Sequence, residues 1–78
     1  MQFIPSTIAL KLAKKANPSF DGRLTDLHRL ISQNGSWLVA GGCKLYSIRR
    51  GAVSRFALAG YAHDGQDVKL ALDMAASI

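Results

Sequence analysis

Apolar positions recur at two different spacings along the chain, and the change falls at Gly35. Before it the spacing is helical. With side chains turned by about 100° per residue, Ile8, Leu12, Ala16, Ala9 and Ala13 share one side of a segment from about Pro5 to Ala16. Lys11, Lys14 and Lys15 share the opposite side. Pro5 suits a first helical turn, where its missing N–H has no partner to lose. Asn17-Pro18 ends the helix, because the residue before a proline avoids the helical region. A second helix is expected to start at a cap on Ser19 or Asp21 and to stop at Asn34-Gly35, where glycine accepts a left-handed backbone. Leu24, Leu27, Leu30 and Ile31 form its buried stripe, and Arg23, Asp26 and Arg29 its wet side. The short link between the two predicts an antiparallel helical hairpin.

After Gly35 the pattern alternates, and Gly41-Gly42, Arg50-Gly51 and Asp64-Gly65 punctuate segments rich in Val, Ile, Tyr, Phe and Trp. This reads as strands near 36–40, 43–49, 53–62 and 67–73 in an antiparallel meander. A two-residue turn at Arg50-Gly51 sets Ile48 opposite Val53, Tyr46 opposite Arg55 and Leu45 opposite Phe56. Side chains alternate faces along each strand, so Cys43, Leu45, Ser47, Ser54, Phe56 and Leu58 fall on one face. A turn at Gly41-Gly42 adds Leu38 and Ala40, and a loop at residues 64–66 adds Val68, Leu70 and Leu72. Two segments also fit a helical period: Val53, Phe56, Ala57, Gly60 and Tyr61, and the tail from Gln66 to Ile78 with Val68, Leu72 and Ala75 inward. The expected fold is α+β in a single compact domain over residues 1–78: an N-terminal antiparallel helical hairpin packed on a three- to four-stranded antiparallel β-meander. The last segment is a helix in the alternative reading.

The opposite sheet face would then carry Trp37, Val39, Lys44, Tyr46, Ile48, Val53, Arg55 and Tyr61. Trp37, Tyr46 and Arg55 would lie in one row across three strands. Two aromatics beside a guanidinium suit stacking on unpaired bases, and equally a protein interface, where Trp, Tyr and Arg are enriched. The alternatives are intramolecular cover or burial in a homodimer, with the row as ordinary cross-strand packing.

Charge sharpens this picture. Ten Lys and Arg face five Asp, with no Glu, and the net charge is +5 in 78 residues. Such a field favours polyanions and acidic protein surfaces. Arg49, Arg50 and Arg55 gather at the tip of the expected hairpin, which suits contact with phosphates. Lys11, Lys14 and Lys15 form a secondary basic patch on the first helix.

Candidate chemistry is sparse. His28 and His63 are the only histidines, and neither stands at a spacing that makes a nucleophile–base–orienter set with Cys43, a serine or an Asp. No zinc or calcium spacing and no phosphate-cradling glycine loop is present. Neither a metal nor another cofactor is expected, and no enzyme activity. Cys43 stands alone, so no internal disulfide forms, which fits a reducing, cytoplasmic setting. The first fifteen residues lack the basic start of a signal peptide, and no uncharged apolar run approaches the roughly 18 residues of a membrane span.

Two functions compete. The first is a stoichiometric binding protein that occludes an acidic protein surface or a protein–nucleic acid complex through Trp37, Lys44, Tyr46, Arg49, Arg50 and Arg55. Phage and mobile-element inhibitors, anti-CRISPR proteins among them, have this size and style; the likeness is not one of motif. The second is a small DNA- or RNA-binding domain using the Arg hairpin and the aromatic–basic face. A winged helix is disfavoured, because a recognition helix is needed where Gly35–Gly42 reads as a strand, and the helices lack a cluster of Arg, Asn and Gln for base edges.

Overall fold

The computed structural model describes all residues except Ala62, Ile78 and the side chain of Ala40. The end of the expected third strand at Ala62, the inward side chain of Ala40 and the tail at Ile78 therefore lie outside the described residues. A strand β1 (Gln2–Ile4) precedes helix α1 (Ser6–Ala16) and helix α2 (Leu24–Asn34). Strands β2 (Trp37–Leu38), β3 (Lys44–Arg50) and β4 (Val53–Ala59) follow, then helix α3 (Asp64–Ala76). The sheet is antiparallel throughout, in the order β1-β4-β3-β2. The α+β class stands, with one strand more at the start and one fewer at the end than the sequence pattern predicts.

The helices form where the apolar period places them. Pro5 stands just before α1, and its carbonyl accepts from Ile8 and Ala9 N–H at 3.1 Å. Ala9, Leu12 and Ala13 are the buried face of α1. Lys14 and Lys15 occupy its last turn, where the exposed carbonyls favour cations. The start of α2 is capped by neither Ser19 nor Asp21: the Asp26 carboxylate accepts the Arg23 N–H at 3.0 Å. Gly35 ends α2 with φ +83°, as its lack of a side chain allows.

The predicted fourth strand is a helix. Its residues Val68, Ala71 and Ala75 are buried, whereas Leu70, which alternation points inward, is 56% exposed. Two physical causes decide this. The free edge of β4 is already taken by β1, leaving no place there for another strand. The segment also begins with two carboxylates that organise a helix start: Asp64 accepts the Gly60 N–H at 2.7 Å and Asp67 the His63 N–H at 3.1 Å. Gly60 permits the close fit, because a Cβ there would lie 2.6 Å from Asp67 Cβ and 2.8 Å from Asp64 Cα.

All three helices pack on one face of the sheet. Ile4, Leu45, Phe56 and Leu58 from the strands meet Leu12, Leu27, Ile31, Val68 and Ala71 from the helices in one buried cluster that includes Cys43 and Val39.

Candidate functional site: the open face of the sheet

The turn between β3 and β4 is Gly51-Ala52, one residue later than expected, and Gly51 takes φ +63°. The observed pairs are Arg50 with Val53, Ile48 with Arg55, Tyr46 with Ala57 and Leu45 with Leu58. Moving a turn by one residue shifts pairing by two, so each side chain keeps its face. Cys43, Leu45, Phe56 and Leu58 are accordingly buried.

The turn between β2 and β3 has the opposite effect. It contains three residues, Ala40–Gly42, closed by the Val39 N–H donating to the Cys43 carbonyl at 2.8 Å. Gly41 and Gly42 both take positive φ, at 73° and 75°. Trp37 thereby pairs with Leu45 and Leu38 with Lys44, a slip of one residue that turns the strand over. Trp37 belongs to the helix side, where its ring meets Phe20 edge-on at 5.4 Å. Leu38, expected inside, points outward and is 63% exposed. Val39 is buried and Tyr61 stands in an exposed loop beyond β4. The expected row of Trp37, Tyr46 and Arg55 is therefore broken: Trp37 is on the other face, and Arg55 lies opposite Ile48, not Tyr46.

A different arrangement occupies the helix-free face. Phe3, Ala57 and Tyr46 form a row across β1, β4 and β3. On one side of it lie Arg55 with Ile48, then Val53 with Arg50. On the other lie Ala59, Lys44 and Leu38. Ala57 is fully buried although no helix covers it, so the flanking side chains fold over it. The Arg55 guanidinium lies over the Phe3 ring at 3.9 Å, a cation–π contact. Phe3, Ile48, Arg50, Val53 and Arg55 line one shallow hollow. Lys44, Arg50 and Arg55 are exposed, and no side-chain carboxylate shares their face. Asp26 is on α2, Asp64, Asp67 and Asp73 are on α3, and Asp21 is in the loop between α1 and α2.

The other basic candidates lie elsewhere. Arg49 alternates with Arg50 and points to the helix side, where its Nε donates to the Gly51 carbonyl at 3.1 Å. The hairpin arginines thus split between faces. Lys11, Lys14 and Lys15 are exposed on α1, in the layer away from the open face.

Phe3 is the residue that sequence reasoning missed, because three residues before a helix form too short a run for alternation to register. A signal does exist: Phe3 and Ile4 point to opposite faces immediately before Pro5, as residues of a strand do. A second missed contact joins His28 Nδ1 to the Ser47 hydroxyl. The His28 ring stacks on Phe56 with centroids 3.9 Å apart, and burial lowers its pKa below the ordinary 6.5. Asp26 serves Arg23 and Arg29 instead, so no described carboxylate orients this pair. Cys43 is fully buried, and its thiol pKa is raised by burial first and then by Asp67 and Asp64. Among the described residues no three His, Cys, Asp or Glu gather to hold a metal, and no helix is long and apolar enough to cross a membrane. Comparison with known protein families, with curated proteins and with solved structures finds no match to this chain.

Proposed function

We propose that this chain is a non-enzymatic binding protein that works by stoichiometric occlusion, laying the open face of its sheet on an anionic surface of a larger protein or protein–nucleic acid assembly. The observation that carries this reading is the composition of that face: Lys44, Arg50 and Arg55 among Phe3, Leu38, Tyr46, Ile48 and Val53, with no side-chain carboxylate among the described residues. Apolar area left open beside fixed cations marks a contact surface, and an unopposed set of cations selects a partner of negative charge. A second copy of the chain is a poor occupant, because two such faces would set like charges against each other. The lone buried Cys43 is in keeping with work in a reducing compartment such as the cytoplasm.

The test is a pull-down from the native host with the wild type and with an Arg50→Glu/Arg55→Glu variant. Both are first shown to melt alike, and nuclease is present in half the samples. The wild type should retain a defined partner that the charge-reversed protein loses. Retention of the same partner by both would remove the open face from the function.

A further inference from the structure

We infer that what this face meets on such an assembly is its single-stranded nucleic acid, held by the phosphates and by stacked bases without selection for base sequence or sugar. The inference rests on the docking reading above and names its occupant.

Three features of the face favour a nucleic acid strand over an acidic protein surface. The first is the kind of cation. Two of the three are arginines, whose planar guanidinium matches phosphate oxygens in a two-pronged fashion and also stacks on flat rings. The second is the state of Arg55, whose guanidinium is held on the Phe3 ring at 3.9 Å while the side chain remains exposed. That geometry presents a supported plane on which a base can stack while the guanidinium N–H groups remain within reach of a phosphate. The third is the order of groups along the sheet. The row of Phe3, Ala57 and Tyr46 has Lys44 on one side and Arg50 with Arg55 on the other. Aromatic rings between flanking cations form a platform for bases inside a track for the backbone.

The same composition sets the specificity. Among the described residues that pair within the sheet, the hydrogen-bonding side chains on this face are the three cations and the phenol of Tyr46. Tyr46 apart, these side chains offer no acceptor with which to tell one base edge from another, or a ribose from a deoxyribose. Stacking tolerates every base, so sequence-tolerant binding follows. A duplex hides its bases from such a platform and keeps only the phosphate contacts.

The experiment is fluorescence anisotropy with labelled 15-nucleotide dT and U strands, a dT·dA duplex of equal length, and a labelled poly-glutamate peptide as a charged polymer without phosphates or bases. With three cations engaged, log affinity should fall against log salt with a slope of about −2, at about −0.7 per phosphate neutralised on a single strand. Arg55→Gln should reduce the slope by about 0.7. Tyr46→Ala should weaken binding at least about fivefold, and Lys69→Gln, which removes an exposed charge from α3, should change neither. The dT and U strands should bind within a few-fold of each other and above the duplex. Arg50→Gln repeats the slope measurement should Arg55→Gln melt early. Equal or tighter binding of poly-glutamate, lost in Tyr46→Ala and Arg55→Gln, would overturn the nucleic-acid inference and leave the docking face standing. Binding of any polymer that ignores every open-face variant, or no binding at all, would overturn both.

Discussion

Toward the helices, the strands and the residue before β3 point Ile4, Cys43, Leu45, Phe56 and Leu58, all buried and none charged, and the one charge on that side, Arg49, stands exposed at the hairpin end. Away from them, the same strands point Phe3, Lys44, Tyr46, Arg50, Val53 and Arg55, all exposed or half-buried, with three cations and no acid. Both sets contain a phenylalanine and at least one aliphatic, so the presence of apolar residues alone does not separate them. Parity does: a residue's place in the alternation decides whether it stabilises the fold or remains available to a partner. The comparison makes stability and binding separable by mutation, and its sharpest test is the pair of phenylalanines. Phe56→Ala should cost about 3–5 kcal/mol, a large fraction of what a small domain has, and leave the protein largely unfolded in mild denaturant. Phe3→Ala loses a partly exposed ring and its contact with Arg55 and should cost under about 1 kcal/mol. Urea melts of the two variants check this, and similar midpoints would deny that the faces differ in kind.

Next in size is the junction that leaves one face covered and the other bare. Helix α3 reaches the covered side only because Gly60 lets it approach β4. A Cβ there meets Asp67 Cβ and the backbone of Asp64 at under 3 Å, and the backbone cannot swing aside as a flexible side chain would. Gly60→Ala should destabilise by about 1–3 kcal/mol without altering the open face. Thermal unfolding that matches the wild type would show that α3 is not held there.

How much of this division the sequence reveals depends on which signal each element carries. The helices α1 and α2 are legible because an apolar stripe repeats at helical spacing, of alanines around Ile8 and Leu12 in α1 and of leucines in α2. The covered face is legible because the error in the Gly51 turn shifts pairing by two, and parity survives an even shift. Trp37 and Leu38 are illegible for the converse reason: a three-residue connection through two positive-φ glycines differs from a two-residue one by a single step, which inverts a strand only two residues long. Strand β1 is too short to show alternation, and without it the edge of β4 looks free, so the alanine-rich tail is drawn as a strand. The candidate site inherits both errors. Lys44, Tyr46 and Arg55 are placed on the outer face by sequence alone, whereas Arg50, expected in the turn, needs the observed pairing of β3 with β4, and Phe3 and the loss of Trp37 require the pairing of β1 and β2.

That exchange gives a smaller test. Trp37 and Tyr46 look equivalent in sequence, as aromatics of neighbouring strands, yet stand on opposite faces. Trp37→Ala should cost about 1–2 kcal/mol through lost packing on Phe20 and leave partner affinity unchanged. Tyr46→Ala should do the reverse. Denaturant melts and binding measured on the same two variants decide it, and loss of binding in Trp37→Ala with the fold intact would restore the broken row.

The smallest effect separates the faces by pH. On the covered side His28 is stacked on Phe56, and burial holds its pKa below the ordinary 6.5. The unfolded chain takes up this proton at about the ordinary value, and the folded chain only at lower pH. Between the two values the unfolded state binds more protons, so stability falls as pH drops below 6.5 and levels off once pH passes the folded value. Asp64 works in a separate window. Its carboxylate accepts the Met1 amino group first and the Gly60 N–H second, which hold its pKa below the ordinary 3.8, so its contribution is full above that value and fades only at lower pH. Among the described residues the open face carries neither a histidine nor a side-chain carboxylate. Melting temperature should therefore decline modestly from about pH 7.5 to about pH 5, while affinity for a partner with no group titrating there stays level. His28→Gln should flatten the stability profile in this window and leave the binding profile as it was. A stability slope that persists undiminished in His28→Gln would assign the effect to other groups, and a binding profile that follows it would mean the two faces are coupled.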